Sequence, residues 1–123
     1  MGVEHFASGT VPKRGDTYRV LLAKRLNLAG GVARTSDTDE LCLNKTLTAL
    51  GGSPLKSDTE TLLLFKQLRK LGGTPLKSDT RRTLLQRILT KVGGTALKSD
   101  TCRMLIAKID KVLSGHGTTS AAI

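Results

Sequence analysis

Apolar residues along this chain come in adjacent pairs, and the pairs recur every 21 positions: Leu21-Leu22, Cys42-Leu43, Leu63-Leu64, Leu84-Leu85 and Leu105-Ile106. Five positions before each pair stands an aspartate, Asp16, Asp37, Asp58, Asp79 or Asp100. With that aspartate counted as column 1, the pairs fill columns 6 and 7, and columns 10 or 11 and 14 are mostly apolar as well. At about 100° per residue these columns fall in one stripe of roughly 140°, the buried face of an amphipathic helix. No stretch alternates with period two, so strands are not expected.

Both ends of each helical stretch carry signals. Ser-Asp-Thr before the stripe offers an N-cap oxygen and puts negative charge at the positive end of the helix dipole, which assigns Asp16, Asp37, Asp58, Asp79 and Asp100 to helix capping. Ser57 and Glu60 have the spacing of a capping box. After the stripe, Leu50-Gly51, Leu71-Gly72 and Val92-Gly93 place glycine where a helix closes in a left-handed residue. The pattern predicts helices near 16–29, 37–50, 58–71, 79–92 and 100–113. The expected fold is all-α, with five tandem single-helix repeats of about 21 residues packed as a small bundle, or alternatively wound as a short α-solenoid. Short connections favour antiparallel neighbours and therefore an up-and-down bundle. Residues 9–113 form the repeat domain, 1–8 an N-terminal arm and 114–123 a small, polar and flexible C-terminal tail.

The connection is written almost identically three times, as GGSPLKSDT from Gly51, GGTPLKSDT from Gly72 and GGTALKSDT from Gly93. It is not a phosphate-binding loop. Leucine, not glycine, precedes Lys56, Lys77 and Lys98, and the following aspartate would repel phosphate from the amides. Its plainer use is architectural: glycines end one helix, Pro54 and Pro75 stiffen the path, and Leu55, Leu76 and Leu97 fold back on the next helix as a hydrophobic staple.

Composition narrows the function. Cys42 and Cys102 are isolated, and His5 and His116 lie near the ends, so neither a metal site nor a disulfide is expected. No local nucleophile–base set or paired-carboxylate site is present, so the expectation is a non-enzymatic protein with no catalytic residues and no cofactor. No run of about 18 apolar residues is present and the start lacks a secretory apolar core, which points to a protein made in a reducing cytoplasm with no membrane partner. The 123 residues carry 20 Lys plus Arg against 10 Asp plus Glu, and residues 62–123 hold 12 of the former and 3 of the latter. Such a field favours an acidic partner.

Two columns are candidate partner contacts. Column 9 is basic in every copy, as Lys24, Lys45, Lys66, Arg87 and Lys108. It could meet phosphates or acidic side chains, or its stems could simply cover the core edge. Column 5 is apolar in four copies, Val20, Leu41, Leu62 and Met104, although it points away from the stripe. That is either a second packing surface or a position covered by the linker leucines. Aromatics are too few for base stacking, so only weak binding to a nucleic-acid backbone is expected.

The segment GGTPLKSDTRRTLLQRIL, residues 72–89, resembles a short repeat of the form GGxPxxxDTxxxLLxKIL found in tandem in proteins encoded by tailed bacteriophages. The resemblance spans residues 30–113. It implies a virion component of the tail, neck, fibre or capsid surface, made in the host cytoplasm, whose partners are other virion proteins and copies of itself. The alternative expectation is a basic helical-repeat protein that binds nucleic-acid backbone without sequence preference.

Overall fold

The structure is a computed structural model that describes the backbone of residues 11–122 and the side chains of 11–114. Five helices follow one another: α1 (Tyr18–Leu28), α2 (Asp39–Ala49), α3 (Glu60–Lys70), α4 (Arg81–Lys91) and α5 (Cys102–Ala122). Among the described residues there is no strand. Five single-helix repeats at a 21-residue step, packed as a small bundle, are what the sequence pattern predicts and what the chain forms. The N-terminal arm at 1–8 lies outside the described residues.

Each helix begins two residues later than the pattern indicates, because its cap is the threonine and not the aspartate. Thr17, Thr38, Thr59 and Thr80 have extended backbones, and the hydroxyl of each accepts the amide three residues on, as Thr38 Oγ1 does from Leu41 at 3.1 Å. The aspartates therefore stand one residue outside the caps. Glu60 does not close a capping box; it pairs with Arg81 at 2.7 Å.

Helices α1 to α4 end in the same joint. After α2, Gly51 takes φ +93° and its N–H donates to Thr48 O at 3.0 Å, while Gly52 N–H reaches back to Leu47 O at 2.8 Å. These are the two bonds of a Schellman motif. The second glycine is a packing requirement: a Cβ on Gly52 would lie 2.3 Å from Leu47 Cδ1. In the fifth copy Ser114 stands where the others have the left-handed glycine. With nothing to turn the chain, α5 runs on to Ala122 through the stretch expected as a tail.

The helices do not alternate in direction. Glu60 and Arg81, each the first residue of its helix, touch, so neighbouring N-termini lie together. Lys70, at the end of α3, lies over Gly51, at the end of α2, so the C-termini do too. Ten residues, from Ala29 to Thr38, bring the chain back from one end of a helix to the start of the next. At about 3.3 Å per residue they easily span the roughly 16 Å length of an 11-residue helix. The expected preference for antiparallel neighbours followed the general rule for short connections, and here the connection is long enough to return.

The repeats also close on themselves. In backbone packing α1 touches α2, α2 touches α3, α3 touches α4, α4 touches α5, and α5 touches α1. Side chains repeat the closure. The Arg82 guanidinium donates to Asp100 O and Lys98 O, 18 and 16 residues ahead. Arg103 makes the same two contacts with Asp16 O and Arg14 O, 87 and 89 residues back. On a circle of five 21-residue steps those are the same displacements. Among the described residues the bundle is a closed ring of five same-sense helices, with 18 buried apolar residues such as Leu22, Leu43, Leu64, Leu85 and Ile106 inside it.

Candidate interaction surfaces

Column 9 is committed inside the molecule. Lys24, Lys45, Lys66, Arg87 and Lys108 each pair with the column 1 aspartate of their own repeat, at 2.5 to 2.9 Å. The same carboxylate oxygen accepts the amide three residues earlier, as Asp58 Oδ2 does from Leu55 N at 2.8 Å. The cation continues to a carbonyl at the foot of the connection, Val11 O for Lys24 at 2.8 Å and Thr74 O for Arg87 at 3.1 Å. Column 9 thus clamps each connection to its helix. The bonds hold Asp58 and Asp100 below the ordinary carboxylate value, through the Leu55 amide and Lys66 for Asp58 and through Lys108 and the Leu97 amide for Asp100. For Asp16 and Asp37 burial pulls upward, and Lys24 with the Lys13 amide, or Lys45 with the Arg34 amide, outweighs it.

Column 5 faces outward. Val20 is half-buried, but Leu41, Leu62 and Met104 are exposed. The linker leucines do not staple: Leu55, Leu76 and Leu97 are exposed as well, and the six side chains keep between 39 and 60 % of their surface. The clamp explains why, because Asp58 fixes the Leu55 amide inward and leaves that residue's side chain on the outside. Leu41 shares a groove with Lys56 and Asp58 of the next repeat, so column 5 and the connection after it border one outer surface.

The axis of the ring is less uniform than its rim. Column 3 carries Tyr18, Asp39, Glu60, Arg81 and Cys102, one from each helix start. The Arg81 guanidinium lies 5.4 Å from the Tyr18 ring centre, across the ring and not between neighbours. Burial raises the Tyr18 pKa and leaves its hydroxyl without a hydrogen bond, and burial with the nearby Glu60 charge raises Asp39. Deeper in, Arg25 donates to Gln67 Oε1, and Gln67 Nε2 donates to Leu43 O at 2.9 Å. Asp110 is fully buried where α5 meets α1, and neither carboxylate oxygen has a hydrogen bond. Burial pushes its pKa up to about 8 against the pull of Arg25 and Lys24, and burial lowers Arg25 to about 10.

Cys42 is buried and its thiol pushed up to about 11, chiefly by burial, while Cys102 is half-buried; both are free. Among the described residues no group of His, Cys, Asp or Glu is placed to hold a metal ion, and no helix is long and apolar enough to cross a membrane. Sequence reasoning passed over the axis. Its signal was present in column 10, where Arg25, Thr46 and Gln67 replace the Ile88 and Ile109 of later copies, and in column 11, where Asp110 replaces leucine.

Comparison with known proteins gives no assignment: no family model, no curated protein and no solved structure matches this chain.

Proposed function

We propose that the chain is a non-enzymatic structural protein of a bacteriophage virion, acting through contacts with other virion proteins or with copies of itself. One observation carries the protein-contact part of this reading. Leu41, Leu62 and Met104 together with Leu55, Leu76 and Leu97 lie exposed outside a ring whose core is already filled, an apolar belt interrupted at Val20 and Thr83. Six large apolar side chains left outside a satisfied core are what a subunit contact surface needs. The virion assignment rests on the resemblance of residues 30–113 to tandem repeats of tailed phages.

The belt is separate from the clamps, so it can be changed without loosening the ring. Leu41→Ser, Leu62→Ser and Met104→Ser combined are expected to leave the helical circular dichroism signal and melting temperature within a few degrees of the parent. The same variant, expressed during phage growth in place of the parent, is expected to be depleted at least about tenfold from purified particles by quantitative mass spectrometry, the loss of roughly 1.4 kcal/mol or more of contact energy. Particles that never contain the parent chain overturn the reading.

A further inference from the structure

Five repeats share one backbone, so the columns in which they diverge mark an arc of the ring that differs from the rest. The turn that closes the first four helices, and its counterpart within α5, shows such a divergence. Columns 12 and 13 hold Asn27 and Leu28 in the first repeat and Thr48 and Ala49 in the second. They then hold Arg69 and Lys70 in the third, Lys91 in the fourth and Lys111 in the fifth.

Among the described residues these four cations sit toward the end of the bundle that lacks exposed acid. The column 1 aspartates, Asp39, Glu40 and Glu60 all stand before or within the first turn of a helix, and Asp110, the one carboxylate later in a helix, is fully buried. Among the described residues none of Arg69, Lys70, Lys91 and Lys111 makes an ion pair. Lys70 and Lys91 lie over the preceding helix ends at Gly51 and Gly72, where the partial charge of a helix C-terminus offsets only part of theirs.

The cations also flank grooves that recur with the repeat. Gly52, Ser53, Arg69 and Lys70 line one of about 340 Å³, and one step on Gly73, Thr74, Thr90 and Lys91 line another of about 630 Å³. The walls are low because the paired glycines have no side chains, and the donors are ammonium, guanidinium and hydroxyl. Lys111 borders a groove of another kind, between the outer face of α5 and Lys13 and Arg14, with Met104 of the apolar belt in its wall. The first two grooves are one helix–helix step apart, about 8–10 Å. Two equivalent cationic grooves one repeat apart match a polymer with regularly spaced anions better than the irregular surface of a folded acidic protein.

We propose that this arc, from the groove of Arg69 and Lys70 to the groove of Thr90 and Lys91, binds the phosphodiester backbone of a nucleic acid without reading its bases. Among the described residues the aromatics Tyr18 and Phe65 are half-buried in the ring and offer no stacking platform, so the backbone is what the described surface can grip. The arc adjoins the clamped column 9, since Lys66 and Arg87 also line its two grooves, but it is distinct from the apolar belt, and it stands whether or not the chain belongs to a virion.

The test is fluorescence anisotropy of labelled single-stranded and duplex DNA of about 20 nucleotides, titrated with the full chain over a range of salt. Binding is expected to weaken with salt at a log–log slope of about −2 to −4, the signature of a few released counterions. Arg69→Glu, Lys70→Glu and Lys91→Glu combined should cut affinity at least about tenfold and flatten that slope. The control is Lys56→Glu, Lys77→Glu and Lys98→Glu, the same change of net charge on the connections, expected to cost less than about threefold. Equal losses in the two variants, with melting temperatures unchanged, would reduce the effect to net charge and overturn the proposal. So would displacement of the DNA by poly-glutamate at equal charge concentration, or no binding by the parent in about 50 mM salt.

Discussion

Asp58 holds three things at once: the Leu55 amide, the Lys66 ammonium and, through Lys66, the Ser53 carbonyl at 3.4 Å. Sequence spacing correctly put an aspartate at every helix start but gave it the wrong task, because threonine and aspartate are both good cap residues and only backbone geometry decides between neighbours. Asp110 was missed for a related reason: it sits in a column that is leucine elsewhere, and a single departure from a repeat reads as noise until its burial is seen. Its folded pKa of about 8 lies above the ordinary carboxylate value near 4. Between those values the folded chain binds more protons than the unfolded one, so the stability Asp110 contributes is complete below about pH 4 and is lost as pH rises through about 8. Arg25, Lys24 and Asp16 are the charged groups that act on it. The loop aspartates with lowered values work in the opposite sense, below about pH 4. Asp110→Asn is therefore expected to flatten the fall in melting temperature between pH 5 and 8.5, followed by circular dichroism, and to be the more stable form at the upper end. Equal falls in both proteins would contradict the buried carboxylic acid.

At the scale of elements, the period, the number of helices and their stop signals were legible in the sequence, since 21-residue spacing, paired glycines and an apolar stripe are local facts. Direction was not, because it depends on whether the connection can travel the length of a helix. The joint at Gly51-Gly52 gives a sharp test of how these pieces fit. Gly51→Ala is expected to cost about 1–2 kcal/mol for a left-handed alanine. Gly52→Ala should cost about 1–3 kcal/mol by driving Cβ into Leu47. Adding Leu47→Ala to Gly52→Ala relieves the clash, so urea denaturation of the double variant should fall short of the summed single costs by about 1 kcal/mol or more. For Gly51→Ala the sum should hold. Additivity at both glycines would contradict the packing of this joint.

For the whole molecule, closure of the last repeat onto the first is the property that the sequence hid most completely. The first helix, α1, is a full member of the ring, and Arg103 treats the connection before it, at Arg14 and Asp16, as Arg82 treats that of the fifth repeat. Closure also gives meaning to the differences between repeats, since a basic arc or an outward belt has a fixed bearing only on a closed frame. The most direct test places a nitroxide at Met104→Cys, in a chain with Cys42→Ala and Cys102→Ala, and reads paramagnetic broadening of backbone amides by NMR. Met104 borders the groove lined by Pro12, Lys13 and Arg14. The closed ring predicts strong broadening of the amides of Lys13 to Asp16, about ninety residues away in sequence, and a monomeric mass in solution. Sharp, unaffected amides at Lys13 to Asp16, with broadening confined to α4 and α5, would mean an open solenoid and would contradict the ring.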